Sequence, residues 1–143
     1  MKIAICGSLN FTYEIKELAD NLRALGHEVT IPLSSTKILN GEASLEQIKK
    51  EKEDGKFSER AIKYDSILEY WKIIQNADAV LVANFGKKDI KNYIGGNSFL
   101  EIGFAHVLNK KIYLLNPIPD MIYKDEIEAM QPNIINNELS KIQ

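Results

Sequence analysis

The sequence predicts a single α/β domain on a mainly parallel sheet of about five strands, with helices on both faces. Three features lead there. Short apolar runs, Ile3-Ala4-Ile5-Cys6 and Ala79-Val80-Leu81-Val82-Ala83, have the continuity of strands buried on both faces. Between such runs lie stretches with apolar residues at helical spacing. Glycine or proline marks several junctions, as at Gly7-Ser8, Gly26 and Pro32.

The elements follow in order. Lys2 to Cys6 reads as the first strand. Tyr13 to Leu25 reads as a helix, with Ile15, Leu18, Ala19, Leu22 and Leu25 on one face and Gly26 placed to end it. Glu28 to Ile31 is a second strand, stopped by Pro32. The stretch from Leu33 to Ser58 is polar and reads as a surface insertion or a lid, with one helix from about Leu45 to Glu53 behind a Ser44/Gln47 capping box. Glu59 to Ala77 reads as one long helix whose buried stripe draws on Ile62, Tyr64, Ile67, Leu68, Trp71 and Ile74. Asp78 to Ala83 is the third strand and Asn84 to Tyr93 a polar loop. A helix from about Ser98 to Leu108 is apolar on nearly every side, as if packed on the sheet and on something else, such as another subunit. Lys111 to Leu115, Ile122 to Met130 and Asn133 to Ile135 complete the pattern as strand, helix and short strand. At this size a flavodoxin-like strand order is the common arrangement.

The 143 residues suit one domain, 1–143, with its own core. A formal net charge of −2 gives no global basic field, so no nucleic-acid partner is expected. No apolar run approaches membrane-spanning length, so no membrane partner is expected, and the N-terminal run is too short for a signal peptide. The single cysteine, Cys6, cannot form an intramolecular disulfide, which fits a reducing cytoplasmic setting.

The stretch most suggestive of chemistry is Gly95-Gly96-Asn97-Ser98-Phe99-Leu100-Glu101-Ile102-Gly103-Phe104-Ala105. It reads as a glycine turn opening a helix beyond the carboxyl end of the third strand, where α/β sheets bind ligands. Two readings of Glu101 fit the pattern. Ser98 and Glu101 have the spacing of a capping box. Alternatively, Glu101 is a carboxylate among apolar neighbours, held ionised by the helix dipole and fit to attack an anomeric carbon. Gly7-Ser8 brings backbone N–H groups and a hydroxyl to the same sheet edge, or is an ordinary tight turn. Asp78 caps the start of a strand or joins the site. His106 reads as a core or interface residue. Metal-ligand spacing, a dinucleotide glycine fingerprint and a Walker lysine motif are all missing, so no metal or cofactor is expected.

Three pieces taken together resemble a known family. They are Ile5-Cys6-Gly7-Ser8, Ala77-Asp78-Ala79-Val80-Leu81-Val82, and Gly96-Asn97-Ser98-Phe99-Leu100-Glu101-Ile102-Gly103-Phe104-Ala105 followed by Lys110-Lys111-Ile112. Their order and spacing are similar to the nucleoside 2-deoxyribosyltransferase family, which includes the 2′-deoxynucleoside 5′-monophosphate N-glycosidases. The likeness runs from Met1 to about Pro117 and is most specific at Glu101-x-Gly103-x-Ala105. It implies a flavodoxin-like fold, no metal, and a homodimer or higher oligomer. It implies cleavage or transfer at the N-glycosidic bond of a (deoxy)nucleoside or nucleotide, with Glu101 as the nucleophile. Cys6, Gly7, Ser8, Asp78, Gly95, Gly96, Asn97 and Ser98 would then line the substrate.

The chain also departs from the family. Gly95 stands where the family often carries Asp or Ser. Tyr70, beside Glu69, stands where transferases often carry Asp. Leu9-Asn10-Phe11 stands where the monophosphate hydrolases usually have an Arg. These departures keep two rivals open: a nucleotide-binding sensor that has lost the chemistry, and a glycohydrolase of dinucleotides such as NAD.

Overall fold

The structure, a computed structural model, describes residues 1–143. Five parallel strands, β1 (Lys2–Cys6), β2 (Glu28–Thr30), β3 (Ala79–Val82), β4 (Lys111–Leu114) and β5 (Asn133–Ile134), lie in the order β2-β1-β3-β4-β5. This is the flavodoxin-like order, with its switch point between β1 and β3. Each strand of the central three is short and almost wholly buried, as expected when both faces of a parallel sheet are covered.

Alternation along the strands divides the core in two. Ile3, Ile5, Ala79 and Leu81 face α1 (Thr12–Ala24), whose Ile15, Ala19 and Leu22 are fully buried. Ala4, Cys6, Val80 and Val82 face α5 (Ser66–Gln75), α6 (Gly96–Val107) and α7 (Lys124–Ala129) through Tyr70, Ile74, Ile102, Ala105 and Ile127. Gly26 follows α1 with φ +92°, the left-handed terminator that its position predicts. At the carboxyl edge, buried Asn84 ties β3 to β4. Its amide donates to the Asn116 carbonyl at 2.9 Å and accepts from the Asn116 N–H at 2.9 Å.

Three expectations change. The stretch 59–77 is not one helix: α4 (Phe57–Tyr64) and α5 are separated at Asp65, which sits at φ 45°. The break rotates the apolar stripe, so Ile62, Tyr64, Ile67 and Leu68 are exposed and Tyr70 and Ile74 are buried. The segment 33–58, expected to hold one helix, holds two. It forms α2 (Leu33–Leu39) and α3 (Leu45–Glu53), and Ile38 and Ile48 close a small third core with Leu9. The Ser44 hydroxyl does cap α3, accepting from the Gln47 N–H at 3.3 Å. Finally, α6 starts at Gly96, two residues before Ser98, with Gly95 as its cap. No helix is long and apolar enough to cross a membrane.

Candidate active site

The carboxyl edge of β1 and β3 opens into a cavity of about 420 Å³. Five parts of the chain wall it: the loop after β1, the segment Leu33–Ala61, α5, the loop Lys87–Tyr93, and the first turns of α6. It lies at the switch point, where the strand order leaves a crevice between neighbouring connections.

Gly7, Ser8, Gly95, Gly96, Asn97, Ser98 and Glu101 all line this one cavity. Gly7 is required by space. A Cβ there would stand 3.0 Å from Ile15 Cδ1 and 3.3 Å from Ala83 Cβ. Ser8 caps the short 3₁₀ turn Leu9–Phe11, its hydroxyl accepting from the Asn10 N–H at 3.3 Å. Ser98 is buried, and its hydroxyl makes no side-chain hydrogen bond within the chain.

Glu101 differs from its expected setting in two ways. Because α6 begins at Gly96, Glu101 is in the second turn, and no acidic residue occupies the first. The capping box with Ser98 is therefore not formed, and the helix dipole, which acts mainly over the first turn, does not dominate. Burial dominates instead and pushes the carboxyl up to about 8. A hydrogen bond from the Cys6 thiol opposes that rise without overcoming it. Glu101 is thus neutral in most molecules at neutral pH, not held ionised. Cys6 is fully buried at the end of β1 and, contrary to expectation, does not line the cavity. Burial first, then the neighbouring carboxyl, raises its thiol well above the usual range, so it is a hydrogen-bond donor and not a thiolate.

Asp78 is not in the site. Its carboxylate accepts from the Lys2 N–H at 2.7 Å at the amino edge of the sheet, the opposite end from the cavity. It ties β1 to β3, the strand-start role its position allowed. His106 is exposed on the outer side of α6.

The cavity also gathers residues outside the expected substrate-lining set. Tyr70 is buried against it and donates its hydroxyl to the Ile5 carbonyl. Tyr93 lines the opposite wall. Arg60 holds Glu51 through two hydrogen bonds, 2.7 and 2.9 Å, clamping α3 to α4 at the rim. In the sequence Tyr70 stands out only as the residue where transferases often carry Asp, and its reach into the cavity depends on the break at Asp65. No three His, Cys, Asp or Glu side chains converge as metal ligands would.

The site therefore offers one neutralised carboxyl that can be ionised at mild alkaline pH, two tyrosine rings, and free donors at the start of α6. The chain matches no protein-family model, no curated protein and no solved structure.

Proposed function

We propose that this chain cleaves or transfers at the N-glycosidic bond of a (deoxy)nucleoside or nucleotide, with Glu101 as the nucleophile. The observation that carries the reading is the single carboxyl in a desolvated wall of a switch-point cavity, flanked by the glycine loop after β1 and the start of α6. In the first step a Glu101 oxygen bonds to C1′ while the C1′–N bond breaks. The base leaves with the electron pair and takes up a proton. In the second step water or another base bonds to C1′ and releases the carboxylate. The transition state carries positive charge on the sugar, so the poorly solvated carboxylate is stabilised as that charge develops.

With a carboxyl near 8, about one molecule in ten holds the reactive anion at pH 7. The rate is then expected to climb with pH and level off above about 8.5. Chromatography of released base across that range tests this, and a rate flat between about pH 6 and 9 would show that the reactive carboxyl does not titrate there.

A second reading has its own observation. A neutral Glu101 is a hydrogen-bond donor, which suits a binding module that reads a nucleotide without cleaving it. Tight binding in calorimetry with an intact ligand after long incubation favours that reading.

A homodimer fits the outer face of α6. Leu100 and Val107 are 45% and 76% exposed, and between them Gly103 has no atom within 4 Å of where a Cβ would stand. An exposed apolar strip with a glycine at its centre admits close packing by a second helix.

A further inference from the structure

The mouth of the same cavity holds a group of lysines from two distant parts of the chain. Lys52 comes from the end of α3, and Lys87 and Lys88 come from the loop after β3; all three line the cavity. None of them takes part in an ion pair. Their acidic neighbours in sequence, Glu51, Glu53 and Asp89, do not line the cavity.

The loop is built to aim two consecutive lysines the same way. Lys87 and Ile90 exchange two backbone hydrogen bonds of 3.0 Å, and Lys88 and Asp89 between them adopt φ 53° and 60°. That left-handed pair is disfavoured for residues with a Cβ. It places both ammonium groups 5.7 Å from the centre of the Tyr93 ring. Lys87 Nζ also donates to Ser8 Oγ at 3.4 Å. Across the mouth, Lys52 Nζ lies 4.8 Å from the Phe57 ring, while Arg60 is already neutralised by Glu51. Burial and the mutual repulsion of these lysines, with Lys49 behind them, weaken the hold of Lys87 on its proton. Such a cluster attracts an anion.

The geometry points to a subsite formed by Lys52, Lys87, Lys88 and Ser8 that takes the phosphate chain of a nucleotide, two phosphates or longer. Charge decides between a single phosphate and a chain. A phosphate monoester carries about −1.5 to −2 charge at pH 7, short of three ammonium groups, and a diphosphate brings more. The lysines also come from two separate parts of the chain, α3 and the loop after β3, so a chain of phosphates can meet them from both sides. Glu101 lies on the α6 wall, so the remainder of the nucleotide extends inward past Tyr70 and Tyr93. This assignment rests on the reading of the cavity as a nucleotide site, and it does not require that the bond be cleaved.

Isothermal calorimetry at matched ionic strength tests it, with inorganic phosphate, inorganic pyrophosphate, a nucleoside, and its 5′-monophosphate and 5′-diphosphate as probes. Pyrophosphate should bind at least tenfold more tightly than phosphate, and the nucleoside diphosphate at least tenfold more tightly than the monophosphate. Lys52→Met, Lys87→Met and Lys88→Met should each weaken the diphosphate at least fivefold, with unchanged melting temperatures. Lys91→Met is the control, since Lys91 is exposed on the same loop and does not line the cavity. Equal affinity for mono- and diphosphate, or an equal loss in Lys91→Met, overturns the assignment. Pyrophosphate binding with no gain from nucleoside to nucleoside diphosphate also overturns it, leaving a free anion as the ligand. Pyrophosphate carries no sugar or base, so its binding and its loss in the three lysine variants report on the subsite alone, while base release from the nucleoside reports on bond cleavage; failure of one leaves the other standing.

Discussion

Cys6, the last residue of β1, sets its thiol beside the carboxyl of Glu101 in the second turn of α6, where the thiol favours the ionised carboxylate. The contact joins the strand at the switch point to the helix beside it. It is also the one interaction that lowers the Glu101 pKa against the effect of burial. Cys6→Ala removes the donor, so the Glu101 titration should move further upward. Cys6→Ser keeps a donor and should move it less. Following the Glu101 carboxyl by carbon NMR against pH reads both. Because Cys6 is fully buried, the alanine variant should also lose about 1 kcal/mol of stability. An unchanged titration in Cys6→Ala would show that the thiol does not hold the carboxyl.

The buried carboxyl makes stability depend on pH in a defined direction. The Glu101 pKa rises from 4.5 to about 8 on folding. Between these values the folded chain keeps a proton that the unfolded chain has lost. The contribution is therefore complete below about 4.5, and it is lost as pH rises through about 8. Glu101→Gln is neutral throughout. Its melting temperature should gain on that of wild type between about pH 5.5 and 9, and a constant difference across that range would mean that burial does not raise the pKa.

Gly7 should not tolerate a side chain. A methyl at that position meets Ile15 Cδ1 at 3.0 Å and Ala83 Cβ at 3.3 Å. Gly7→Ala should cost about 1–3 kcal/mol by urea denaturation and displace the Ser8 loop. A neutral result would mean that Ile15 and Ala83 yield without cost.

Gly103 separates the monomer from its assembly. A larger residue there meets nothing within the chain, so Gly103→Leu should fold as wild type does. If α6 packs against a second copy, light scattering should give twice the chain mass for wild type and the single mass for Gly103→Leu. Equal masses for the two proteins would remove α6 as the interface.

Much of the fold was legible because buried parallel strands are continuous apolar runs, and β1, β3 and β4 were recognised within a residue or two. The helix break at Asp65 was not legible. Neither glycine nor proline marks it, and the left-handed turn falls on an ordinary aspartate. The first helix of the 33–58 segment was hidden for another reason. Ser34-Ser35-Thr36 looks like a turn, yet Ser35 is buried and shares a 3.0 Å hydrogen bond with Thr12 on α1. Glu101 and the two glycine stretches announced themselves by position after strands. The start of α6 did not, because Gly96 read as turn and serves as the first helical residue. That shift of two residues moved Glu101 out of the first turn and reversed its expected charge state. The cavity lysines could not be paired from sequence, because Lys52 meets Lys87 and Lys88 only after α3 folds over the mouth.

Base release is the most direct test of the central claim. Nucleosides, deoxynucleosides and their 5′-phosphates, with and without a second free base, would be incubated with wild type and Glu101→Gln at about pH 8.5, above the raised pKa. Wild type should release or exchange base from at least one substrate, and Glu101→Gln should lose at least about a thousandfold of that rate. Release at equal rates from both proteins, or no release from either, would contradict Glu101 as the nucleophile of an N-glycosidic-bond enzyme.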